Sequence, residues 1–174
     1  MLKIPANWNE VNENAPEPKK LPAGGYVCRI VKAFESTNKY DEPCLTLYLD
    51  VDDGEYKNYF GEIYKRRLER GLDKYPCVYN QRTDEYATRH FKRLINLLER
   101  CNEDFSCDVD GGDVWDEREI ENLKIGVVFR EKEFKRGDSI RSNLVPHSLK
   151  SIEQIRGGNF FTPEKLTVKG RNNG

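Results

Sequence analysis

The sequence predicts a mainly β fold with one main helix, formed by a single domain. Short segments rich in β-branched and aromatic residues recur before residue 61 and again after residue 122. One stretch between them has apolar residues at helical spacing. The chain has 174 residues, 37% of them hydrophobic and 34% charged, which is enough apolar material for one core beneath a densely charged surface.

Three strands are predicted in the N-terminal part. The first spans about residues 25–34, where GYVCRIVKAF precedes a turn-forming segment. The second spans 44–51, where Leu45, Leu47 and Leu49 alternate with polar residues and with Tyr48. Asp53-Gly54 is a hairpin signal, so EYKNYF at 55–60 is predicted to be the third strand.

The helix prediction depends on a single apolar stripe in the middle of the chain. Ala87, Phe91, Leu94, Ile95 and Leu98 lie at offsets of 0, 4, 7, 8 and 11 residues, which places them on one helical face. A basic insertion, 61–86, precedes this helix, and an acidic connector, 102–122, follows it. Two further strands are then predicted at 123–134 and 139–145, joined by a turn at 135–138.

Five strands with one helix between the third and the fourth are the chain order of the OB-fold, a five-stranded Greek-key barrel. The barrel is predicted to occupy residues 21–156, with an extended arm at 1–20 and a flexible tail at 157–174. In this fold, oligonucleotides bind to strands two and three and to the loops between strands one and two and between four and five. The order of elements therefore predicts where a nucleic-acid groove would lie.

Such a groove needs aromatic rings that stack on bases and cations that contact phosphates. The predicted interface contains residues of both kinds on the first loop, on strands two and three and on the last hairpin. They are Lys39, Tyr40, Tyr48, Tyr56, Lys57, Phe129, Arg130, Lys132, Lys135, Arg136 and Arg141. Because side chains alternate along a strand, the sequence leaves open which of the aromatic residues stack and which lie in the core.

Charge is unevenly distributed, although the net charge is only -1. Residues 61–93 have nine cations against five carboxylates, with tyrosines between them, and fit either an extended phosphate track or a solvated helix face. Residues 103–121 have nine carboxylates and one arginine, and predict a solvated loop or a contact for a basic partner. Attraction to nucleic acid would therefore have to be local.

The sequence lacks the signatures of common enzymes, so we expect no catalysis and no cofactor. It has no phosphate-binding loop motif, no nucleophile elbow and no zinc-protease motif, and only two histidines. Its five cysteines form no C-x-x-C pair, and DVDGGDVWDE does not match an EF-hand loop, so no metal is expected. No secretory or membrane-length apolar segment is present, which predicts a cytoplasmic protein without membrane contact.

Four segments resemble a family of small phage and prophage proteins from Gram-positive bacteria: LPAGGYVCRIVKAF, LTLYLDVDDGEYKNYF, HFKRLINLLERCNEDF and IGVVFREKEFKRGD. The resemblance covers about residues 20–165. It implies an OB-fold protein that binds single-stranded DNA in phage replication or recombination, in the cytoplasm of the bacterial host. It implies that Gly24-Gly25, residues 53–56 and residues 129–138 belong to the barrel, and it assigns no binding residue. Unlike the familiar bacterial single-strand binders, this chain has no acidic C-terminal tail.

The expected function is thus non-catalytic binding of single-stranded DNA through base stacking and phosphate contacts. The alternative is an interaction or structural module of phage origin that does not bind nucleic acid, since a fold does not fix a function. Phage replication or recombination proteins, and a second copy of this chain in a homo-oligomer, are partners that the sequence leaves open. It also leaves open the preference between DNA and RNA, and any sequence specificity.

Overall fold

The computed structural model of the protein describes residues 1–14, 19–107 and 114–168. Its strands are β1 (Gly24–Thr37), β2 (Pro43–Val51), β3 (Val78–Arg82), β4 (Lys124–Arg136) and β5 (Ser139–Lys150). Its helices are α1 (Tyr59–Glu69), α2 (Thr88–Cys101) and α3 (Ile152–Arg156). Parts of the predicted arm, acidic connector and tail, at 15–18, 108–113 and 169–174, lie outside the described residues.

The five strands form one antiparallel sheet in the order β3-β2-β1-β4-β5. β1 lies at its centre: its N-terminal part pairs with β4 and most of its length pairs with β2. The edge strands β3 and β5 are in contact, but the sheet has no hydrogen-bonded pairing between them. The predicted mainly β fold is therefore confirmed at the level of a five-stranded sheet, and this sheet is open.

The core lies on one face of the sheet. The alternation predicted for the second strand is confirmed, because Leu45, Leu47 and Leu49 are all buried. The predicted helix is α2, which contributes Leu94 and Leu98 to the same core. We call the opposite side of the sheet its outer face, and the candidate site lies mostly there.

The third strand was predicted at the wrong place. Residues 55–60 form a turn followed by the first residues of α1, and the third strand of the sheet is β3, inside the predicted basic insertion. Asn58 has a left-handed backbone with φ of 63°, which ends any extended run at that point. The first turn of α1 is then held by Asp50 of β2, whose carboxylate accepts hydrogen bonds from the backbone amides of Phe60 and Gly61, both at 3.0 Å.

The chain after β5 packs on the outer face and along the edge of β4. α3 begins with a capping box between Ser151 and Gln154 and lies over Gly126, where a Cβ atom would come within 2.6 Å of Ile155. Farther on, Leu166 pairs with β4 through backbone hydrogen bonds of 2.8 and 2.9 Å to Glu133 and Glu131. The described part of the predicted tail, 157–168, therefore includes a short segment that extends the sheet beside β4.

Candidate nucleic-acid interface

The predicted interface residues do not form one trough. Gly24, at the start of β1, pairs with Phe129, so the rest of β4 continues beyond the N-terminal end of β1. The turn that carries Lys39 and Tyr40 follows the opposite end of β1. The two loops expected to flank a common groove thus lie beyond opposite ends of the central strand.

Beyond Phe129, β4 and β5 continue as a two-stranded ribbon, which we define as residues 130–145. Side chains alternate between its two faces, and directly paired residues share a face. Phe134 pairs with Arg141, so both lie on the face that is continuous with the outer face of the sheet. The cations on that face, all predicted from the sequence, are Arg130, Lys132, Arg136 and Arg141.

This outer face of the ribbon keeps its positive charge. Lys132, Arg136 and Arg141 have no ion pair with any carboxylate of the described residues, and all three are exposed. Arg130 donates from Nε to the carbonyl oxygen of Glu164 at 2.7 Å, which positions its guanidinium without neutralising it. Phe134 lies among them with 38% of its surface exposed. The face therefore offers both phosphate contacts and a ring.

The inner face of the ribbon contains carboxylates, and these are paired with a lysine. Glu131 and Glu133 both contact Lys165, whose Nζ atom lies 3.6 and 3.0 Å from their carboxylates. The pKa of Glu131 is lowered by the Ser142 hydroxyl that donates to it and by Lys165, and the pKa of Glu133 is lowered mainly by Lys165. Lys135 belongs to this face by alternation, so the adjacent cations at the tip, Lys135 and Arg136, point to opposite sides.

A second group of aromatic residues lies on the outer face of β1 and β2, beside α1. Phe34 meets Tyr48 edge to face at 5.2 Å, and Tyr48 stacks on Tyr75 at 4.5 Å with the ring planes 6° apart. Tyr64 of α1 contacts Tyr75 at 5.2 Å. The Nζ atom of Lys32 lies 5.1 Å from the centre of the Phe34 ring. Of this row, only Tyr48 was predicted as an interface residue.

The three tyrosines of this row line a cleft of about 450 Å³, which we call the tyrosine cleft. Its lining residues are Arg29, Val31, Lys32, Tyr48, Asp50, Gly61, Tyr64, Tyr75 and Glu121. Asp50 is buried, and its pKa is raised because burial disfavours the charged form, although three backbone amides donate to it. Arg29 lies 3.6 Å from Asp50 and 3.5 Å from Asp52. Its Nη1 atom is nevertheless buried without a hydrogen-bond partner among the described residues.

The remaining predicted residues are placed elsewhere. Tyr40 is 71% exposed on the β1–β2 turn, with Lys39 Nζ 5.1 Å from its ring centre. Tyr56 is half-buried against Tyr26 at 6.2 Å in the loop between β2 and α1, where Lys57 is exposed.

The assignment of Phe129 to the interface was wrong. Phe129 is completely buried in the core, and its ring lies 5.4 Å from that of Phe60. Because β4 is shared between the five-stranded part of the sheet and the ribbon, its inward positions are core up to Phe129 and become half-buried or exposed ribbon positions only after it. Arg130 is thus the first residue of β4 that can contribute to the ribbon.

Sequence reasoning missed Phe34, Lys32 and Arg29 because it expected the interface on strands two and three and on two loops, and not on the first strand. The bulge in β1 between Ile30 and Lys32 also shifts the alternation of that strand. The tyrosines interleaved in the basic insertion were a signal for Tyr64 and Tyr75, but the sequence does not say that they meet Tyr48.

The described residues contain no cluster of metal-ligating side chains, and none of their helices is long and apolar enough to cross a membrane. Neither the family models nor the curated proteins contain a match for this chain.

Proposed function

We propose that this protein binds single-stranded nucleic acid without catalysis, as an OB-like protein that acts on single-stranded DNA in phage or prophage replication or recombination in the bacterial cytoplasm. The observation that carries the proposal is the one-sided charge of the ribbon. Its inner carboxylates are paired with Lys165, whereas its outer cations have no carboxylate partner among the described residues and surround an exposed ring. A polyanion with exposed bases matches that combination.

The sheet supports the OB-like assignment. The OB-fold is a partly open five-stranded barrel, and here the sheet order β3-β2-β1-β4-β5 leaves its two edge strands in contact. α2 lies between the third and fourth strands, as the chain order of that fold requires. Under this assignment the ribbon is the extended hairpin between strands four and five, one of the elements that contact oligonucleotides in the fold.

The ribbon provides its own matched control, because neighbouring cations lie on opposite faces. We expect Arg141→Gln and Lys132→Gln each to weaken binding to oligo-dT. Each should also reduce the steepness of log affinity against log salt concentration by about 0.7, because a variant with one phosphate contact fewer releases fewer counterions when it binds. Lys135→Gln removes the same charge from the inner face and should leave the slope unchanged. Fluorescence anisotropy of labelled oligo-dT over a range of salt concentrations measures both quantities.

Two outcomes would contradict the proposal. Absence of binding to oligo-dT at low salt would refute nucleic-acid binding altogether. Equal effects of the Lys135 and Arg141 changes would mean that net charge, and not the outer face of the ribbon, controls binding. Duplex DNA and RNA oligonucleotides in the same titration report which nucleic acid is preferred.

One observation favours a protein-interaction module as the second candidate. The N-terminal arm exposes Leu2, Ile4, Trp8 and Val11 to between 60% and 94% of their surface. Apolar side chains exposed together in this way are typical of a protein contact. Removal of residues 1–14 distinguishes the candidates: under the main proposal it leaves oligo-dT affinity unchanged, whereas under the second it abolishes a self-association or partner contact, which light scattering or pull-down of phage replication proteins would detect.

A further inference from the structure

We propose that the tyrosine cleft holds one unpaired base of the bound strand. This inference rests on the proposed function and names a subsite for it that is separate from the ribbon. The ribbon supplies charge for the backbone, and the cleft supplies a place for a flat, uncharged, hydrogen-bonding ring. The two surfaces would therefore contact chemically different parts of one strand.

The aromatic rings that line the cleft are held in place by their neighbours. Tyr48, Tyr75 and Tyr64 are packed on one another at 4.5 and 5.2 Å, so their ring orientations are fixed before any ligand arrives. The hydroxyl of Tyr64 donates to Asp73 at 2.6 Å, and the hydroxyl of Tyr75 donates to the carbonyl oxygen of Leu49 at 3.1 Å. These hydrogen bonds hold each ring at its hydroxyl end. A base in contact with preorganised rings loses little affinity to side-chain ordering.

The charge of the cleft favours a base over a phosphate. Arg29 and Lys32 line it together with the carboxylates of Asp50 and Glu121, so cations and anions are balanced in number. The outer face of the ribbon has no such carboxylates, which makes it the better phosphate site. A neutral base avoids the repulsion that a phosphate would meet from the carboxylate of Asp50.

Arg29 supplies the polar contact. Its Nη1 atom is buried, and its nearest carboxylate, on Asp52, lies at 3.5 Å without forming a hydrogen bond. A buried donor without an acceptor is unfavourable. The guanidinium of Arg29 lines the cleft and is held by long contacts of 3.6 Å to Asp50 and 3.5 Å to Asp52. A carbonyl oxygen or ring nitrogen on the edge of a base would accept a hydrogen bond from this guanidinium, and this gives the cleft a reason to bind a nucleobase in preference to an apolar ring.

Paired oligonucleotides test the inference. We would titrate the wild-type protein with an oligo-dT long enough to reach both surfaces and with an oligomer of the same length in which every base is absent but the phosphates remain. The cleft predicts tighter binding of oligo-dT. Tyr64→Leu should weaken oligo-dT binding by roughly 5- to 150-fold, the range for one stacked base, and leave binding to the abasic oligomer unchanged.

Tyr86→Leu is the matched control, because Tyr86 is 85% exposed and does not line the cleft. Arg29→Lys keeps the charge beside Asp50 but loses the guanidinium donors, and it should reduce the preference for oligo-dT over the abasic oligomer. Thermal melting of each variant shows that it is folded. These variants separate the base contact from the phosphate contacts of the ribbon.

The outcomes distinguish failure of the inference from failure of the proposed function. Equal wild-type affinity for both oligomers, or an equal loss for both in Tyr64→Leu, overturns the cleft as a base site while nucleic-acid binding stands. Binding of neither oligomer by the wild-type protein overturns the proposed function and this inference with it. Loss confined to oligo-dT in Tyr64→Leu, with Tyr86→Leu unchanged, supports both.

Discussion

At the scale of single residues, Asp50 connects the sheet to α1. The side chain of Asn58, the residue before α1, does not cap the helix, so the first backbone amides of α1 need a hydrogen-bond acceptor from elsewhere. Asp50 provides it from β2, with one carboxylate oxygen for Phe60 and the other for Gly61. The position of α1, and therefore of Tyr64 in the tyrosine cleft, depends on this carboxylate.

Gly61 is placed where only hydrogen fits beside that carboxylate. A Cβ atom at this position would lie 2.8 Å from Oδ2 of Asp50, which three backbone amides hold in place. A change from Gly to Ala inside a helix ordinarily stabilises it by about 1 kcal/mol. We expect the opposite here: Gly61→Ala should lower the free energy of unfolding by about 1–2 kcal/mol, since a displaced cap leaves buried polar groups unpaired.

Urea unfolding measures this effect. Lys65→Ala, on an exposed position of the same helix, is the control and should change the free energy of unfolding by less than about 0.5 kcal/mol. A Gly61→Ala protein more stable than the wild type would show that Asp50 does not cap α1 in solution.

At the scale of elements, the spacing of apolar residues along the sequence correctly predicted the elements whose structure depends on that spacing. The alternation of Leu45, Leu47 and Leu49 is confirmed in β2, and the stripe that includes Leu94 and Leu98 is confirmed in α2. EYKNYF misled the sequence reading because its aromatic residues are typical of a strand, whereas its conformation is set by Asp50, several residues away, and by a left-handed Asn58. No sequence pattern contains that contact.

The candidate site shows the same division. The sequence predicted Arg130, Lys132, Lys135 and Arg136 as members of one interface, whereas the pairing of β4 with β5 places Lys135 on the opposite face of the ribbon from the other three. The burial of Phe129 depends on how far the core extends along β4, which is a property of the packed sheet. The contacts of Tyr48 with Phe34 and Tyr75 join three separate elements, so they too require the fold.

The segment beside the ribbon should be released by acid. Glu131 and Glu133 hold Lys165, and both have a pKa below their ordinary value of 4.5 in the folded protein. A carboxylate whose folded-state pKa is lowered contributes stability that is present above its unfolded pKa and is lost as the pH falls through the folded one. We therefore expect residues 164–168 to separate from β4 as the pH falls below about 4.5, before the sheet unfolds.

The backbone amide of Leu166 donates to the carbonyl oxygen of Glu131, and the amide of Glu133 donates to the carbonyl oxygen of Leu166. Hydrogen exchange at these two amides measures the release. Lys165→Gln removes the ion pairs and should give fast exchange at Leu166 even at neutral pH, with little further change in acid. Protection at Leu166 that persists unchanged in acid until the whole sheet unfolds would contradict the prediction.

At the scale of the whole molecule, the open sheet separates two surfaces that an ordinary closed groove would bring together. Phe129 of β4 pairs with Gly24 of β1. Lys132 of the ribbon lies three positions beyond Phe129 along β4, and Lys32 of the cleft lies eight positions beyond Gly24 along β1. At about 3.3 Å per residue, the path between them along the sheet is at most about 36 Å. One strand must therefore be long enough to reach both surfaces before they can act together.

This separation predicts a dependence on oligonucleotide length. With oligo-dT too short to span the sheet, one oligonucleotide contacts only one surface, so Arg141→Gln and Tyr64→Leu should each leave binding at the other surface intact, and only the double variant should weaken binding at both. With longer oligo-dT, contact at one surface raises the effective concentration of the strand at the other, so affinity should rise steeply at one length and the two changes should then add in free energy to within about 0.5 kcal/mol. Anisotropy titrations over a series of lengths measure this. A smooth rise in affinity with length, in proportion to the number of binding positions alone, would mean that the two surfaces never hold the same strand.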